Sequence, residues 1–179
     1  EIGIAYLGEC NHSTKLTNNG EKNMLTYGIY LASSDASNIN VCPKSKMCRE
    51  SCLVGSGYAK IDALAHNNKV LNARIIKTRL FFANRNLFMT LMIKEINRAI
   101  NKAKRLGMEF SVRLNCTSDI NPTVFMYEGK NILELYPNVS FYDYTKVKSH
   151  WKVAEKYPNY YITFSRDGSK ENEEECLEW

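Results

Sequence analysis

Short apolar stretches along the chain alternate with longer stretches in which apolar and charged residues mix at helical spacing. Residues 25–32 are rich in β-branched and aromatic side chains, which favours a buried strand. The same composition predicts further strands at residues 110–115, 139–144 and 160–165. Helices are predicted over residues 59–83, 86–106, 122–136, 151–156 and 171–179. Gly107 is expected to end the second helix.

Strands and helices therefore alternate, and this order predicts the fold class. Parallel neighbouring strands need a crossover connection, so the pattern favours an α/β fold of parallel βα units in a partial barrel-like or open sheet. We expect residues 1–179 to form a single domain whose first 23 residues are irregular. The last residues end where a fifth strand would begin, which leaves open a truncated chain or strands contributed by a partner.

Length and charge narrow the functional classes. A chain of 179 residues can bury a sizeable core, and no apolar run reaches the roughly 20 residues of a membrane helix. With no secretory signal at its start, the chain is expected in the cytoplasm and away from membranes. The sequence does not predict the oligomeric state.

The net charge of +5 is concentrated in residues 69–105, where Glu95 is the only acidic residue. Basic helices of this kind suit a phosphate backbone, so we expect nucleic acid as a partner. The residues chosen for this contact are Arg74, Arg79 and Lys102. The alternative is an ordinary solvated helix surface.

Three cysteines occupy one short loop after the first predicted strand. Cys42, Cys48 and Cys52 have the spacing C-x5-C-x3-C and are followed by Gly55 and Gly57. Thiolates this close can bind one soft metal, so the loop predicts an iron–sulfur cluster or a zinc ion. In a reducing compartment, clustered cysteines are more often ligands than disulfides.

Polar side chains follow the other three predicted strands. In parallel α/β folds, ligands bind at the carboxyl ends of the strands, so these side chains should meet beside the cysteine loop. Asp119 and Asp143 are candidate general bases or nucleophiles, since either carboxylate could accept a proton. Their alternative role is a structural ion pair with Arg113.

Several further residues are candidates for holding a substrate. Arg113 and Lys146 could bind an anionic group, and strand alternation places Asn115 on the same face as Arg113. Tyr142 and Tyr144 could stack on a base or a cofactor ring, or simply pack. The remaining candidates for hydrogen bonding to substrate are Ser118 and Ser165.

The fourth ligand of the predicted metal site stays open. Cys116 could be a fourth thiolate or a buried inert thiol, and His66 or His12 could complete a zinc site. His150 is expected on the surface. The chain contains no Walker A, G-x-G-x-x-G, H-E-x-x-H or G-x-S-x-G motif, which disfavours P-loop hydrolysis, Rossmann redox chemistry, metalloproteases and serine hydrolases.

The cysteine loop and the strand ends together resemble the gene product 88-like family of bacteriophage and prophage proteins. The resemblance runs from about residue 25 to residue 165 and implies expression in an infected or lysogenic bacterial host. Its members commonly have a small residue at the position of Cys116, which argues against an essential ligand there. The resemblance is carried by Cys42-Pro43, Cys48, Cys52, Arg113-Leu114-Asn115, Ser118-Asp119, Phe141-Tyr142-Asp143-Tyr144-Thr145-Lys146 and Thr163-Phe164-Ser165.

Two main classes of function fit these observations, and a third interpretation, for which the sequence offers no direct signal, is a phage accessory protein that binds a host protein. The favoured class is a metal-centre enzyme acting on nucleic acid or a nucleotide-like substrate. Its cysteine loop is similar in placement to that of radical S-adenosylmethionine enzymes, although their usual spacing is C-x3-C-x2-C. A zinc-dependent base-modifying enzyme, loosely similar to tRNA-guanine transglycosylases, is the variant. The alternative class is a non-catalytic nucleic-acid-binding phage protein stabilised by zinc.

Overall fold

The computed structural model describes residues 4–10, 23–34, 36–45, 48, 52 and 68–178. The strands are β1 (Leu7–Glu9), β2 (Met24–Ile29), β3 (Glu109–Arg113), β4 (Met126–Tyr127), β5 (Lys130–Asn131), β6 (Ser140–Thr145) and β7 (Tyr160–Phe164). The helices are α1 (Lys69–Ala83), α2 (Arg85–Leu106), α3 (Ile132–Leu135), α4 (His150–Lys156) and α5 (Lys170–Leu177). The part of the first predicted helix from residue 59 to residue 67 lies outside the described residues, as do Gly55, Gly57, His12 and His66.

The main sheet has five strands in the order β1-β2-β3-β6-β7. β2, β3, β6 and β7 run parallel and stand in chain order, which confirms the predicted parallel βα units. The sheet is open, because the described strands do not close into a barrel. β1 joins β2 antiparallel and was not predicted, since three residues are too few for a pattern to show.

The two faces of the sheet differ in chemistry. On one face, Val112, Phe141 and Tyr160 are neighbours in register and are buried in the main core. Helix α2 contributes to the same core through its apolar stripe, including Phe88, Met92 and Ile96. The opposite face carries the registered row Gly28, Arg113, Tyr142 and Tyr161. Arg113, the polar residue of this row, is the last residue of β3 and so lies at the carboxyl edge of the sheet, where ligands bind in such folds.

The helix predicted over residues 122–136 is wrong. This segment instead forms a 3-10 turn (Pro122–Val124), the hairpin β4–β5 and the short helix α3. Glu128 and Gly129 have φ values of 48° and 79°, a left-handed pair that reverses the chain as a tight turn and interrupts any helix. Asn131 then starts α3 with a capping box that includes the side chain of Glu134.

The long helix α2 begins and ends as its sequence requires. The Asn84 side chain accepts a hydrogen bond from the backbone N–H of Leu87 at 3.0 Å, which caps the first turn. Gly107 ends the helix in the left-handed conformation with a φ of 64°, confirming the predicted stop. Glu95, midway along α2, accepts backbone N–H bonds from Tyr6 and Leu7 and so fixes β1 to the core. No helix in the described parts of the chain has the length and apolar character to cross a membrane.

Candidate functional site

A cavity of about 200 Å³ opens at the carboxyl edge of the parallel strands. Its walls come from three separate segments, which follow β2, β3 and β6–β7. Each wall brings different chemistry: thiols from the first, amide and carboxylate groups from the second, and a lysine and a tyrosine from the third. The lining residues are Ser33, Cys42, Lys44, Ser45, Cys48, Cys52, Arg113, Asn115, Cys116, Thr117, Ser118, Asp119, Tyr144, Lys146 and Ser165.

The three loop thiols all face this cavity, and each has a local hydrogen-bond partner. Cys42 Sγ accepts the backbone N–H of Ser34 at 3.3 Å. Cys48 Sγ lies 3.7 Å from the Ser45 carbonyl, and Cys52 Sγ lies 3.5 Å from the Ser33 hydroxyl. Burial raises the pKa of Cys42, and the negative charges of Asp119, Cys52 and Cys48 raise it further. A negative charge on these neighbouring groups therefore disfavours the thiolate form of Cys42.

The donor set suits a soft metal, but the thiols are not already assembled around one. Across the described residues, no group of three Cys, His, Asp or Glu side chains is arranged as a metal site. The thiols of Cys48 and Cys52 would have to turn from Ser45 and Ser33 to share an ion with Cys42. A bound cation would also reverse the electrostatics, because it favours the thiolate that the neighbouring negative charges now disfavour.

Asp119 is the carboxylate that reaches the cavity. Its Oδ2 accepts the backbone N–H of Lys146 at 2.9 Å, and its own N–H donates to the Val41 carbonyl at 2.8 Å. Oδ1 is buried without a hydrogen bond and lies 3.5 Å from Nδ1 of His150. That nitrogen is closer to the Thr145 hydroxyl, at 3.0 Å. We take the Thr145 contact as the hydrogen bond, so Asp119 keeps one oxygen with acceptor capacity for a proton.

Asp143 lies beneath the cavity instead of lining it. Its side chain is 1% exposed, and burial raises its pKa to about 7. Oδ1 accepts the backbone N–H of Asn115 at 2.6 Å, while Oδ2 accepts the Asn115 side-chain amide at 3.0 Å and the Tyr160 hydroxyl at 3.1 Å. With three donors on two oxygens, Asp143 holds Asn115 in place.

Asn115 in turn fixes the loop after β3 through further hydrogen bonds. Its Oδ1 accepts the hydroxyl of Ser118 at 2.8 Å and the backbone N–H of Ile120 at 3.0 Å. The Thr117 hydroxyl donates to the Leu31 carbonyl at 2.6 Å, which ties this loop to the end of β2. The cavity wall that carries Asp119 is therefore fixed at both ends.

Three cations are found among the described residues that line the cavity: Lys44 is paired with Glu175, and the other two are Arg113 and Lys146. The Arg113 guanidinium carbon lies 4.8 Å from the centre of the Tyr144 ring, and the Arg113 Nε is buried without a hydrogen bond. Lys146 Nζ donates to the Ser165 hydroxyl at 3.1 Å. An anionic group entering here would meet both charges, one of them already stacked on an aromatic ring.

The sequence was compared with models of known protein families. The family model described as Gene product 88 matches residues 7–179, nearly the whole chain. The chain belongs to the Gene product 88 family. This confirms the resemblance drawn from the sequence and its bacteriophage type. A search of curated proteins and a search of solved structures found no significant match.

In this Gene product 88 protein the structure brings together most of the side chains predicted for the site. The ones that share the cavity are Cys42, Cys48, Cys52, Arg113, Asn115, Ser118, Asp119, Tyr144, Lys146 and Ser165. Asp143 and Tyr142 do not line it. The Tyr142 hydroxyl is buried without a hydrogen bond, and burial raises the pKa of this phenol to about 12.

The residues predicted to bind nucleic acid are engaged within the protein. The guanidinium of Arg74 lies 5.4 Å from the centre of the Tyr30 ring, and Arg79 Nε donates to the Ser37 carbonyl at 3.5 Å. Lys102 Nζ contacts Glu9 at 2.5 Å. None of the three lines the cavity, so any nucleic-acid contact they make is separate from it.

Sequence reasoning missed His150, which was expected on the surface. Its side chain is 2% exposed, and burial lowers its pKa so that the neutral imidazole is favoured. The residue starts α4 and faces the Asp119 carboxylate. Thr145, in the sequence just before this helix, could have given the signal, because its hydroxyl accepts the Val147 N–H and contacts His150.

Proposed function

We propose that this protein is a metal-centre enzyme that acts on an anionic, nucleotide-like substrate or on nucleic acid. Cys42, Cys48 and Cys52 would hold the metal, as an iron–sulfur cluster or a zinc ion. The observation that carries the proposal is the shared cavity: the three loop thiols, the Asp119 carboxylate and the cations Arg113 and Lys146 line one cavity at the carboxyl edge of a parallel sheet.

The metal would supply the chemistry that these side chains lack: zinc acts as a Lewis acid, and an iron–sulfur cluster with S-adenosylmethionine as co-substrate supports one-electron chemistry. Three thiolates leave room at such a centre for a substrate or co-substrate atom. The cluster and zinc versions differ in their metal content, which makes them separable by analysis.

The other cavity residues have roles that follow from their contacts. Asp119 is the proton acceptor, and its Oδ1 has no hydrogen bond and lies buried beside Nδ1 of His150. Arg113 and Lys146 bind the anionic group of the substrate. The ring of Tyr144 is 46% exposed, which leaves area for a base to stack. Asp143 acts as a positioning residue, because its contacts run through Asn115.

Metal analysis of anaerobically purified protein tests the proposal. We expect about one metal centre per chain, with acid-labile sulfide if the metal is iron. Serine at Cys42, Cys48 or Cys52 should each lower the metal content, because each removes one thiolate. Cys176→Ser is the matched control, since Cys176 belongs to α5 and does not line the cavity. Metal-free protein whose three loop thiols alkylate freely in the native state would refute the metal centre.

The non-catalytic nucleic-acid-binding alternative is favoured by one observation on α2. Lys94, Arg98 and Arg105 are exposed on this helix, so a basic surface is present apart from the cavity. In that case a zinc ion would only stabilise the loop, and substitution of Asp119 would leave the affinity for nucleic acid unchanged.

A further inference from the structure

Two cysteines outside the loop meet above Gly28. A Cβ atom on Gly28 would lie 2.2 Å from Cys116 Sγ and 3.0 Å from Cys10 Sγ. The two sulfurs therefore share the space that the missing side chain leaves on the polar face of the sheet. Both cysteines are buried and neither is in a disulfide. Glycine at this position is what lets a thiol from the end of β1 reach a thiol from the end of β3.

The electrostatics of this pair distinguish it from the loop thiols. Hydrogen bonding with Cys116 lowers the pKa of Cys10, and Tyr30 and Arg113 lower it further against the effect of burial. The same hydrogen bond and burial raise the pKa of Cys116. Cys10 therefore loses its proton more readily than Cys116 does, which suits Cys10 to the role of nucleophile and Cys116 to that of resolving thiol.

Access to the pair comes from the cavity. Cys116 lines the cavity wall beside Arg113, while Cys10 lies behind it with 3% of its surface exposed. Hydrogen peroxide is small enough to enter a cavity of about 200 Å³, where it reaches the pair from the side of Cys116. Bulky oxidants such as protein disulfides would be excluded by the burial of both sulfurs.

We propose that Cys10 and Cys116 form a redox-active dithiol, a site of reversible oxidation by hydrogen peroxide that closes to an intramolecular disulfide. The Cys10 thiolate attacks one peroxide oxygen, the O–O bond breaks, and hydroxide leaves a sulfenic acid on Cys10. The Cys116 sulfur then attacks the Cys10 sulfur and the S–O bond breaks. Water leaves with the proton of Cys116, and a thiol reductant restores both thiols.

This proposal does not depend on the metal-centre function, because it uses neither the loop thiols nor Asp119.

In the reduced protein, one equivalent of hydrogen peroxide should convert Cys10 and Cys116 into one cross-linked peptide pair. The measurement is an acid quench, alkylation in denaturant, proteolysis and mass spectrometry. Dithiothreitol added before the quench should return both peptides to their alkylated forms. The rate should already be high below pH 8, because the pKa of Cys10 is lowered.

Substitutions of the cysteines and of Gly28 test which residues the cross-link requires. Cys10→Ser and Cys116→Ser should each abolish the cross-link, while Cys176→Ser should leave it intact. Gly28→Ala should slow its formation by about tenfold or more, since the new methyl group displaces the Cys116 sulfur. If a variant fails to fold, the wild-type peptide map still decides the question. Cys10 and Cys116 recovered as separately alkylated or separately oxidised peptides would overturn the proposal.

A protein in which Cys42, Cys48 and Cys52 are all serine separates the two proposals. It should lose the metal and keep the Cys10–Cys116 disulfide. A cross-link between Cys116 and a loop cysteine in the wild-type protein would contradict the separate dithiol. A metal-free wild-type protein that still forms the Cys10–Cys116 disulfide would refute the metal centre alone.

Discussion

Asn115 donates both its backbone N–H and its side-chain amide to the two oxygens of Asp143, at 2.6 Å and 3.0 Å. Asn115 follows β3, Asp143 lies in the neighbouring parallel strand β6, and their contact lies directly under the cavity. Tyr160 adds a third donor from β7. This buried carboxylate therefore joins the ends of three strands, and the order of the cavity floor depends on it.

We expect Asp143→Ala to lower the free energy of unfolding by about 2–4 kcal/mol, because it leaves three buried donors without an acceptor. Denaturant titration followed by circular dichroism measures this. The exposed Glu174 on α5 provides the control, since Glu174→Ala should change stability by no more than about 0.5 kcal/mol. Equal stability of the two variants would show that the hydrogen bonds of Asp143 do not stabilise the folded protein.

Asp143 should also make stability depend on pH. Its pKa is about 7 in the folded protein against 3.8 ordinarily, so the folded state binds the proton more tightly. The stabilisation is complete below about pH 4 and is lost as the pH rises through 7. Asp143→Asn has no proton to lose. Between pH 5 and pH 8, its stability relative to the wild type should therefore rise by on the order of 2 kcal/mol. Parallel curves for the two proteins would contradict the raised pKa.

Lys146 should contribute directly to binding an anionic ligand. Its ammonium group is held towards the cavity by Ser165, so Lys146→Met should weaken binding of adenosine monophosphate by about tenfold, measured by titration calorimetry. Lys148→Met is the matched control. Lys148 is exposed, pairs with Glu178 and does not line the cavity. Equal losses in the two variants would mean that only net charge matters.

The exposed basic residues of α2 give a separate test of nucleic-acid binding. Charge reversal at Lys94, Arg98 and Arg105 should weaken binding to DNA or RNA and flatten its dependence on salt concentration, as measured by fluorescence anisotropy. Reversal at Arg74, Arg79 and Lys102 should have a smaller effect on affinity, because these residues already contact groups within the protein. Unchanged affinity in both triple variants would remove nucleic acid as a partner of these helices.

The sequence predicted the cavity better than it predicted the details of its floor. Parallel strands place their carboxyl ends at one edge, so the polar residues after each strand could be assigned to one site without coordinates. Strand alternation holds within β6, where Tyr142 and Tyr144 oppose Asp143. It fails for Asn115, because β3 ends at Arg113 and the next residues are free to turn. The Asn115 amide consequently reaches Asp143, whose side chain lies on the face opposite Arg113.

Long-range contacts explain the other differences. His150 is next to the exposed Trp151 in the sequence, so the local sequence alone predicts a surface position for His150. It is buried because α4 packs against the segment that carries Asp119, more than 30 residues earlier in the chain. The contact between Cys10 and Cys116 likewise depends on Gly28 in β2. The spacing of these three residues along the sequence does not predict that they meet.

The walls of the cavity belong to separate segments of the chain, found at the ends of β2, β3, β6 and β7. A substitution, insertion or deletion in one segment can thus reshape one side of the cavity while the other sides and the sheet keep their geometry. Relatives of this protein could change the ligand they accept through the residues at the ends of β6 and β7 alone, with the cysteine loop left as it is. Ligand selectivity would then vary among them independently of the cysteine loop.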